Sequence, residues 1–404
     1  MIYFQIHYFR PIPDMHKQKF VLLFTVFLDM LCFSMVMPVM PYLIKELDLP
    51  DIYAGIIIAV FAFMNFLCSP LWGGMSDRKG RRPVMLLSIC VTMTGNLILA
   101  IADNLPILFI ARILAGIGSA NLSVAQACMA DISMKQDRTK NLGQIGAMFF
   151  AGFIIGPYFG TQLKSFSTDG TAFYLGITTA LLNAANLVFA WFFLKESNTS
   201  LVPDEKRLFN PLSHIYQWLK KPVISSLIWY FFLYIIAFSM MQVTCTLLWK
   251  DKYDLGVKAT GKLFTLIGLA SAIFQGLIVG PLSKKYSNRT LIIMGSIIMA
   301  VSVAALPLPS SDLFVPWGYI ICGILALGNS LIMPVISSWL THEAPESEIG
   351  RALSANQSFS ALSRVIGPTV GTFLYTQFQN LPFYLGGLLM LVPLGIILKL
   401  KKTK

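Results

Sequence analysis

The chain has 404 residues, of which 56% are hydrophobic and only 12% charged, about half the charge of an ordinary soluble domain. So few charges could not cover a water-soluble surface of this size, which disfavours soluble enzymes, disordered chains and disulfide scaffolds. The net charge of +12 does not point to nucleic acid, because the basic residues fall where membrane topology needs them.

In chain order, twelve mostly apolar runs cover residues 20–44, 53–74, 84–102, 105–130, 142–163, 173–194, 223–249, 259–281, 290–308, 315–340, 352–376 and 381–398. About 20 such residues cross about 30 Å of hydrocarbon as a helix. Lipid offers the backbone no partner, so helices are the expected form. The first run is too long for a signal-peptide core and has no small-residue cleavage site behind it, so it reads as a retained span. The longest polar connection, residues 195–222, carries Lys195, Glu196, Asp204, Glu205, Lys206 and Arg207. The expectation is an all-α membrane protein of twelve transmembrane helices: a bundle of six over residues 1–194, a cytoplasmic linker over 195–222 and a second bundle over 223–404.

With the N-terminus in the cytoplasm, 23 of the 31 basic residues fall in inner segments and six in outer loops. That bias predicts both termini inside. A multi-pass protein of the plasma membrane is expected, the inner membrane if the source is Gram-negative. All six cysteines lie within apolar runs and the four histidines are scattered, so neither a metal site nor a cofactor is expected. No G-x-x-x-x-G-K-[ST] loop for nucleotide occurs.

The halves echo each other. Gly156-Pro157-Tyr158-Phe159-Gly160-Thr161 returns as Gly367-Pro368-Thr369-Val370-Gly371-Thr372, and Gly73 pairs with Gly280. A near-constant offset argues for a duplicated, pseudo-symmetric six-span unit.

The loop after span two reads Gly73-Gly74-Met75-Ser76-Asp77-Arg78-Lys79-Gly80-Arg81-Arg82-Pro83. It resembles the cytoplasmic G-x-x-x-D-R-x-G-R-R signature of the major facilitator superfamily. Span five carries Gly143, Gly152, Gly156, Pro157 and Gly160, similar to the antiporter motif of drug:proton exporters, with Thr161 where a further glycine is usual. Span four has Arg112-Ile113-Leu114-Ala115-Gly116-Ile117-Gly118, similar to the family's R-x-x-x-G-x-G pattern. The resemblance is to the twelve-span tetracycline and multidrug exporters and covers nearly the whole chain. It implies the major facilitator fold and a monomeric, proton-coupled antiporter that exports a small amphipathic compound. An exporter of an anionic metabolite or siderophore, and a nutrient symporter, are the alternatives.

Asp29 is the one acid deep within a span, about 13 Å from Phe20 at 1.5 Å per residue. A carboxylate there is costly unless paired or protonated, which suits a proton carrier or a substrate contact; the plainer role is a packing residue satisfied by Ser or Asn. Arg112 and Arg364 are the two basic residues within spans, and a guanidinium in lipid must find a partner. Asp29 is expected to pair with one of them when ionised. The resemblance implies a coupling role for Arg112, against snorkelling to the interface. Arg364 meets either an anionic substrate group or the hydroxyls and amide of Ser360, Ser363 and Asn356. Asn329, Asn356, Gln357 and Gln242 are further candidates for substrate contact, with apolar neighbours such as Phe33, Met37 and Met333.

The resemblance also assigns a conformational latch to Gly73, Asp77, Arg78, Gly80, Arg81, Arg82 and Asp131. In it Asp77 faces the inner end of span eleven and Arg81 pairs with Asp131; attraction to anionic lipid is the plainer reading of Arg78 and Arg82. Gly152, Gly156 and Gly160 lie four apart on one helix face. Either a tight kink at Pro157 seals the pathway between the halves, or the face serves ordinary tight packing.

Overall fold

The computed structural model describes residues 15–134, 137–167, 171–198, 220–345 and 349–399. Most of the expected linker, residues 199–219, and the two chain ends lie outside the described residues. Within them the chain is helical, with no strand. We number the long helices α1 (His16–Glu46), α2 (Ile52–Lys79), α3 (Arg81–Ala100), α4 (Leu105–Ile132), α5 (Arg138–Lys164), α6 (Phe173–Phe193), α7 (Pro222–Asp251), α8 (Val257–Lys285), α9 (Asn288–Ala305), α10 (Ser311–Glu343), α11 (Ile349–Gln377) and α12 (Leu381–Leu398). They coincide with the twelve expected spans.

Eleven helices among the described residues are long and apolar enough to cross a membrane. The other, α11, has the length (29 residues), but its middle carries Asn356, Gln357, Ser360, Ser363 and Arg364. Its neighbours explain how lipid tolerates it. α11 packs between α7 of its own half and α2 of the other, so its polar face meets protein.

Several helices are interrupted where the sequence dictates. Turn residues Met37–Val39 break α1, because Pro38 and Pro41 donate no backbone hydrogen bond. In α4 the Ser119–Asn121 stretch tightens into a 3-10 turn. A π turn over Gln275–Val279 precedes Gly280-Pro281 in α8, and Pro393 splits α12.

Two cores form. One gathers buried side chains of the first half with Val243; the other draws only on the second half. Between helices surrounded by lipid, close packing rather than water exclusion supplies the adhesion, and glycine sets how close. A Cβ on Gly156 would strike Ser34 and the carbonyl of Leu31 in α1, and one on Gly160 would strike the Met35 backbone. In the second half, Gly367 meets Ser239 and Ile236 of α7, and Gly371 meets Met240. The duplicated Gly-Pro segments therefore make the same contact twice.

This placement fits ordinary tight packing of the span-five glycines and corrects the reading of a seal between the halves. Gly152, Gly156 and Gly160 seat α5 on α1 within one bundle, not against the opposite half. Gly143 has nothing within 4 Å of where its Cβ would lie. The contact between halves uses the other side of α5, where Thr161 fills the space over Gly261 of α8 and Ile154 that over Gly268. Gly55 of α2 meets Pro368 and Thr372 of α11 in the same way. Thr161, the departure from the usual glycine pattern, is thus a contact residue between the bundles.

Bonds between the halves gather at the end opposite the 76–83 loop. Tyr42 Oη lies 2.7 Å from Thr260 Oγ1 and donates to the Leu255 carbonyl at 3.0 Å. Lys45 pairs with Asp251, which also accepts from Tyr375 Oη at 3.0 Å. Burial raises the pKa of Asp51 at this end, opposed by the nearby charge of Lys45.

Lys164, whose side chain is 1% exposed, closes the same end within the first half. Its Nζ lies 2.6 Å from Glu46 Oε2 and donates to the Thr171 carbonyl at 3.1 Å. Breaking a buried pair costs about 3–5 kcal/mol, but Glu46 is partly exposed and can rehydrate. Lys164→Met is therefore expected to cost about 1–2 kcal/mol, read as a lower thermal midpoint in detergent. Lys164→Met with Glu46→Gln should regain most of it.

Candidate functional site

Asp29 lies on a stripe of α1 formed by Thr25, Asp29, Cys32 and Phe33, spaced four, three and one apart so that one helix face carries them. The stripe is anchored by α6: Thr25 Oγ1 donates to Asn186 Oδ1 at 2.9 Å, and Cys32 lies against the amide of Asn183. Asp29 is 4% exposed, and neither carboxyl oxygen has a well-formed hydrogen bond. Asn121 is its polar neighbour. The pocket around it is lined by Cys32, Phe33, Phe61, Thr92, Asn96, Arg112, Ala115 and Ser119. All of these belong to α1–α4, so the site lies inside the first bundle and not in the cleft between halves.

Arg112 is 3% exposed in the same pocket. Its Nη2 donates to Asn96 Oδ1 at 3.2 Å, its Nε has no partner, and its guanidinium lies 6.0 Å over the Phe61 ring. It is buried rather than snorkelled. The expected ion pair of Asp29 with Arg112 or Arg364 is not formed in this structure. Two groups of opposite charge preference share one enclosed compartment without a bond between them, an arrangement in which a proton on the carboxyl relieves the cost of burial.

A second, small cavity lies between the bundles. Its walls are Phe33 and Met37 of α1, Phe149 and Phe153 of α5, Ile235, Phe238, Ser239 and Gln242 of α7, Met333 of α10 and Arg364 of α11. It is aromatic and apolar, with one cation and two small polar groups. The Arg364 guanidinium lies 5.5 Å over Phe149 and 5.8 Å over Phe153, rings supplied by the opposite half. Such stacking offsets part of the cost of a desolvated cation.

Of the amides anticipated for this cavity, only Gln242 lines it. Asn329 accepts from Tyr234 Oη at 2.6 Å within the second bundle. Asn356 is buried with Oδ1 unpartnered, as is Ser360 Oγ one turn along α11, and neither they nor Gln357 reach the cavity wall.

At the 76–83 loop the structure brings together Asp77, Arg81 and Asp131. Arg81 Nη1 donates to Asp77 Oδ1 at 2.5 Å and to Ser76 Oγ at 2.7 Å, and Nε donates to Asp131 Oδ2 at 3.0 Å. The guanidinium is thus shared between two carboxylates. Arg82 reaches the Trp191 carbonyl at 2.8 Å. Gly73 packs beside Ser123 of α4.

Sequence reasoning missed the linker's first residues here. Glu196 accepts the backbone N–H groups of Arg81 and Arg82 at 2.8 and 3.1 Å, a carboxylate at a helix N-terminus where it is most favourable. Gly80 has φ 98°, and a Cβ there would strike that carboxylate, so glycine is required on both counts. Asn198 Nδ2 donates to the Asp77 carbonyl and Ser197 Oγ to Asp131. The visible signal was Glu196 as the first acid after span six.

Arg81→Ala is expected to release both carboxylates and lower the thermal midpoint in detergent, with Arg81→Lys intermediate because one ammonium cannot hold the same fork. Thermal unfolding of the purified variants checks this; unchanged midpoints would refute it.

The chain matches the sequence pattern described as the Major Facilitator Superfamily over residues 22–368. It is 29% identical over 381 residues to the class C tetracycline resistance protein of Escherichia coli, covering 92% of this chain and 94% of that one. Multidrug resistance protein 2 of Bacillus subtilis (strain 168) is 26% identical over 391 residues, 95% of each chain. Among solved structures, the human organic anion transporter MFSD10 superposes with a TM-score of 0.70 at 23% identity, covering 96% of this chain and all of that one.

Proposed function

Because the chain belongs to the Major Facilitator Superfamily, we propose that it is a proton-coupled antiporter that exports a small amphipathic compound by alternating access. It is a membrane transporter and not an enzyme. One observation carries the proton assignment: Asp29, buried among α1–α4 with Asn121 as its polar neighbour, shares its compartment with Arg112. A carboxyl that is neutral when protonated and attracted to Arg112 when ionised has two stable arrangements, which is what coupling requires.

Relatives named for tetracycline and multidrug resistance support the export direction and an amphipathic cargo. The basic-residue bias places the 76–83 loop in the cytoplasm and the joined end of the bundles outside. On that reading the bundles are joined on their outer side, and the protein works as a monomer in the plasma membrane. One proton entering across 100 mV supplies about 2.3 kcal/mol, enough for roughly a 50-fold gradient.

Everted membrane vesicles test the proposal with tetracycline and ethidium as probes. Accumulation should follow acidification of the vesicle interior and stop when the proton gradient is collapsed. Accumulation that survives the collapse of both pH difference and potential would overturn it.

Arg364 favours a second reading, transport of an anion. The cavity wall holds this cation and no carboxylate. An anion bound there favours protonated Asp29, which adds no negative charge, so anion and proton would bind together. The sign of the proton movement therefore separates the readings: release on binding supports the antiporter of a neutral or cationic compound, and uptake supports co-transport of an anion.

A further inference from the structure

The two compartments share a single wall residue. Phe33 lines both the Asp29 pocket and the cavity between the bundles, and it stands one helical turn from Asp29. Its ring stacks on Phe61 with centroids 4.7 Å apart and 22° between planes, and it lies 6.5 Å from the Phe153 ring. Phe61 carries the Arg112 guanidinium, and Phe153 carries that of Arg364. The result is an unbroken row, cation, three rings, cation, running from the first bundle into the second. Phe33 is its central member and is itself 7% exposed.

We propose that Phe33 is the partition that keeps the proton compartment sealed from the substrate cavity and transmits between them. The inference rests on the reading of Asp29 as the proton carrier. A compound entering the cavity displaces the ring that closes the Asp29 pocket. Conversely, when Arg112 turns towards an ionised Asp29 it leaves Phe61, and the ring stacked on Phe61 loses its support. Phe33 is thus a positioning residue: it touches cargo on one side and proton machinery on the other, and acts by timing access of water to the carboxyl. Without it the carboxyl faces the alternating cavity in every state, and a proton can cross without cargo.

The test needs no known substrate. Purified protein is placed in liposomes that trap a pH-sensitive dye, a pH difference is imposed with valinomycin and potassium clamping the potential, and no cargo is added. Phe33→Ala is expected to leak protons about tenfold faster than wild type, within the range of ordinary coupling factors. Phe33→Leu, which keeps the bulk, should stay within about twofold. The leak should vanish in Phe33→Ala combined with Asp29→Asn, which ties it to the carboxyl and not to a disordered bundle. Phe33→Val replaces the alanine variant if that one does not fold. A small-residue variant as tight as wild type, or a leak that persists in the double variant, overturns the proposal. Neither result bears on whether Asp29 carries the proton, which the Asp29→Asn variant alone decides under a substrate gradient.

Discussion

Asp29→Asn is expected to abolish uphill transport while leaving downhill exchange intact. The amide keeps the size of the carboxyl and its place among Thr92, Asn96, Arg112 and Ser119, so the bundle should fold as before. It cannot exchange a proton, so the cycle loses its link to the membrane gradient. The steady concentration ratio sustained at 100 mV should fall from about 50-fold per coupled proton to unity. Counterflow of labelled tetracycline between equal concentrations should persist, because exchange requires only that loaded carriers move. Loss of both activities would point instead to a packing role. Retention of the uphill gradient would remove Asp29 from the coupling scheme.

Gly156→Val combined with Gly160→Val is expected to destabilise the first bundle by about 3–5 kcal/mol, from overpacking of about 1–3 kcal/mol per site. A carbon on Gly156 would meet the Ser34 hydroxyl first and, behind it, the Leu31 carbonyl and Met35 nitrogen, and one on Gly160 would meet the Met35 carbonyl, so backbone stands in the way at both sites. The helices can only separate, and α1 is the helix that carries Asp29 and Phe33. Against a domain stability of about 5–15 kcal/mol, such a loss should reduce the yield of monodisperse protein and lower the thermal midpoint sharply. Gly143→Ala is the control. That glycine has open space around it, and alanine is the better helix former by about 1 kcal/mol. Its midpoint should be unchanged or slightly higher, although it belongs to the same motif.

The contrast among these glycines shows what a sequence can and cannot convey. Spacing alone placed Gly152, Gly156 and Gly160 on one face, because helical period is local. Which helix that face meets is a tertiary fact, and α1 could be told from the opposite bundle only by coordinates. The spans were legible for the same local reason. Even α11, too polar to stand as a lipid-facing span, was visible from its length and its repeat of the span-five segment.

Asp29 and Arg112 stood out because charge within an apolar run is rare, and the structure encloses both in one compartment. Their separation from Arg364 was not legible, since it depends on where three phenyl rings fall. Phe33, Phe61 and Phe153 come from three helices, and in a chain with 30 phenylalanines nothing local distinguishes them. Glu196 was hidden differently: a loop acid reads as solvated surface until Gly80 and the start of α3 are seen beside it. Tyr42, Asp251 and Thr260, which tie the bundles together, likewise come from helix ends and loops where polar residues are ordinary.

The most direct test of Asp29 as the exchangeable proton site is infrared difference spectroscopy of the substrate-free protein in lipid, following the carboxylic-acid carbonyl band as the bathing pH is changed. Wild type should show a band from a buried protonated carboxyl that disappears on deprotonation, and Asp29→Asn should lack that band with the rest of the difference spectrum preserved. Identical carbonyl bands in the two proteins would contradict the account.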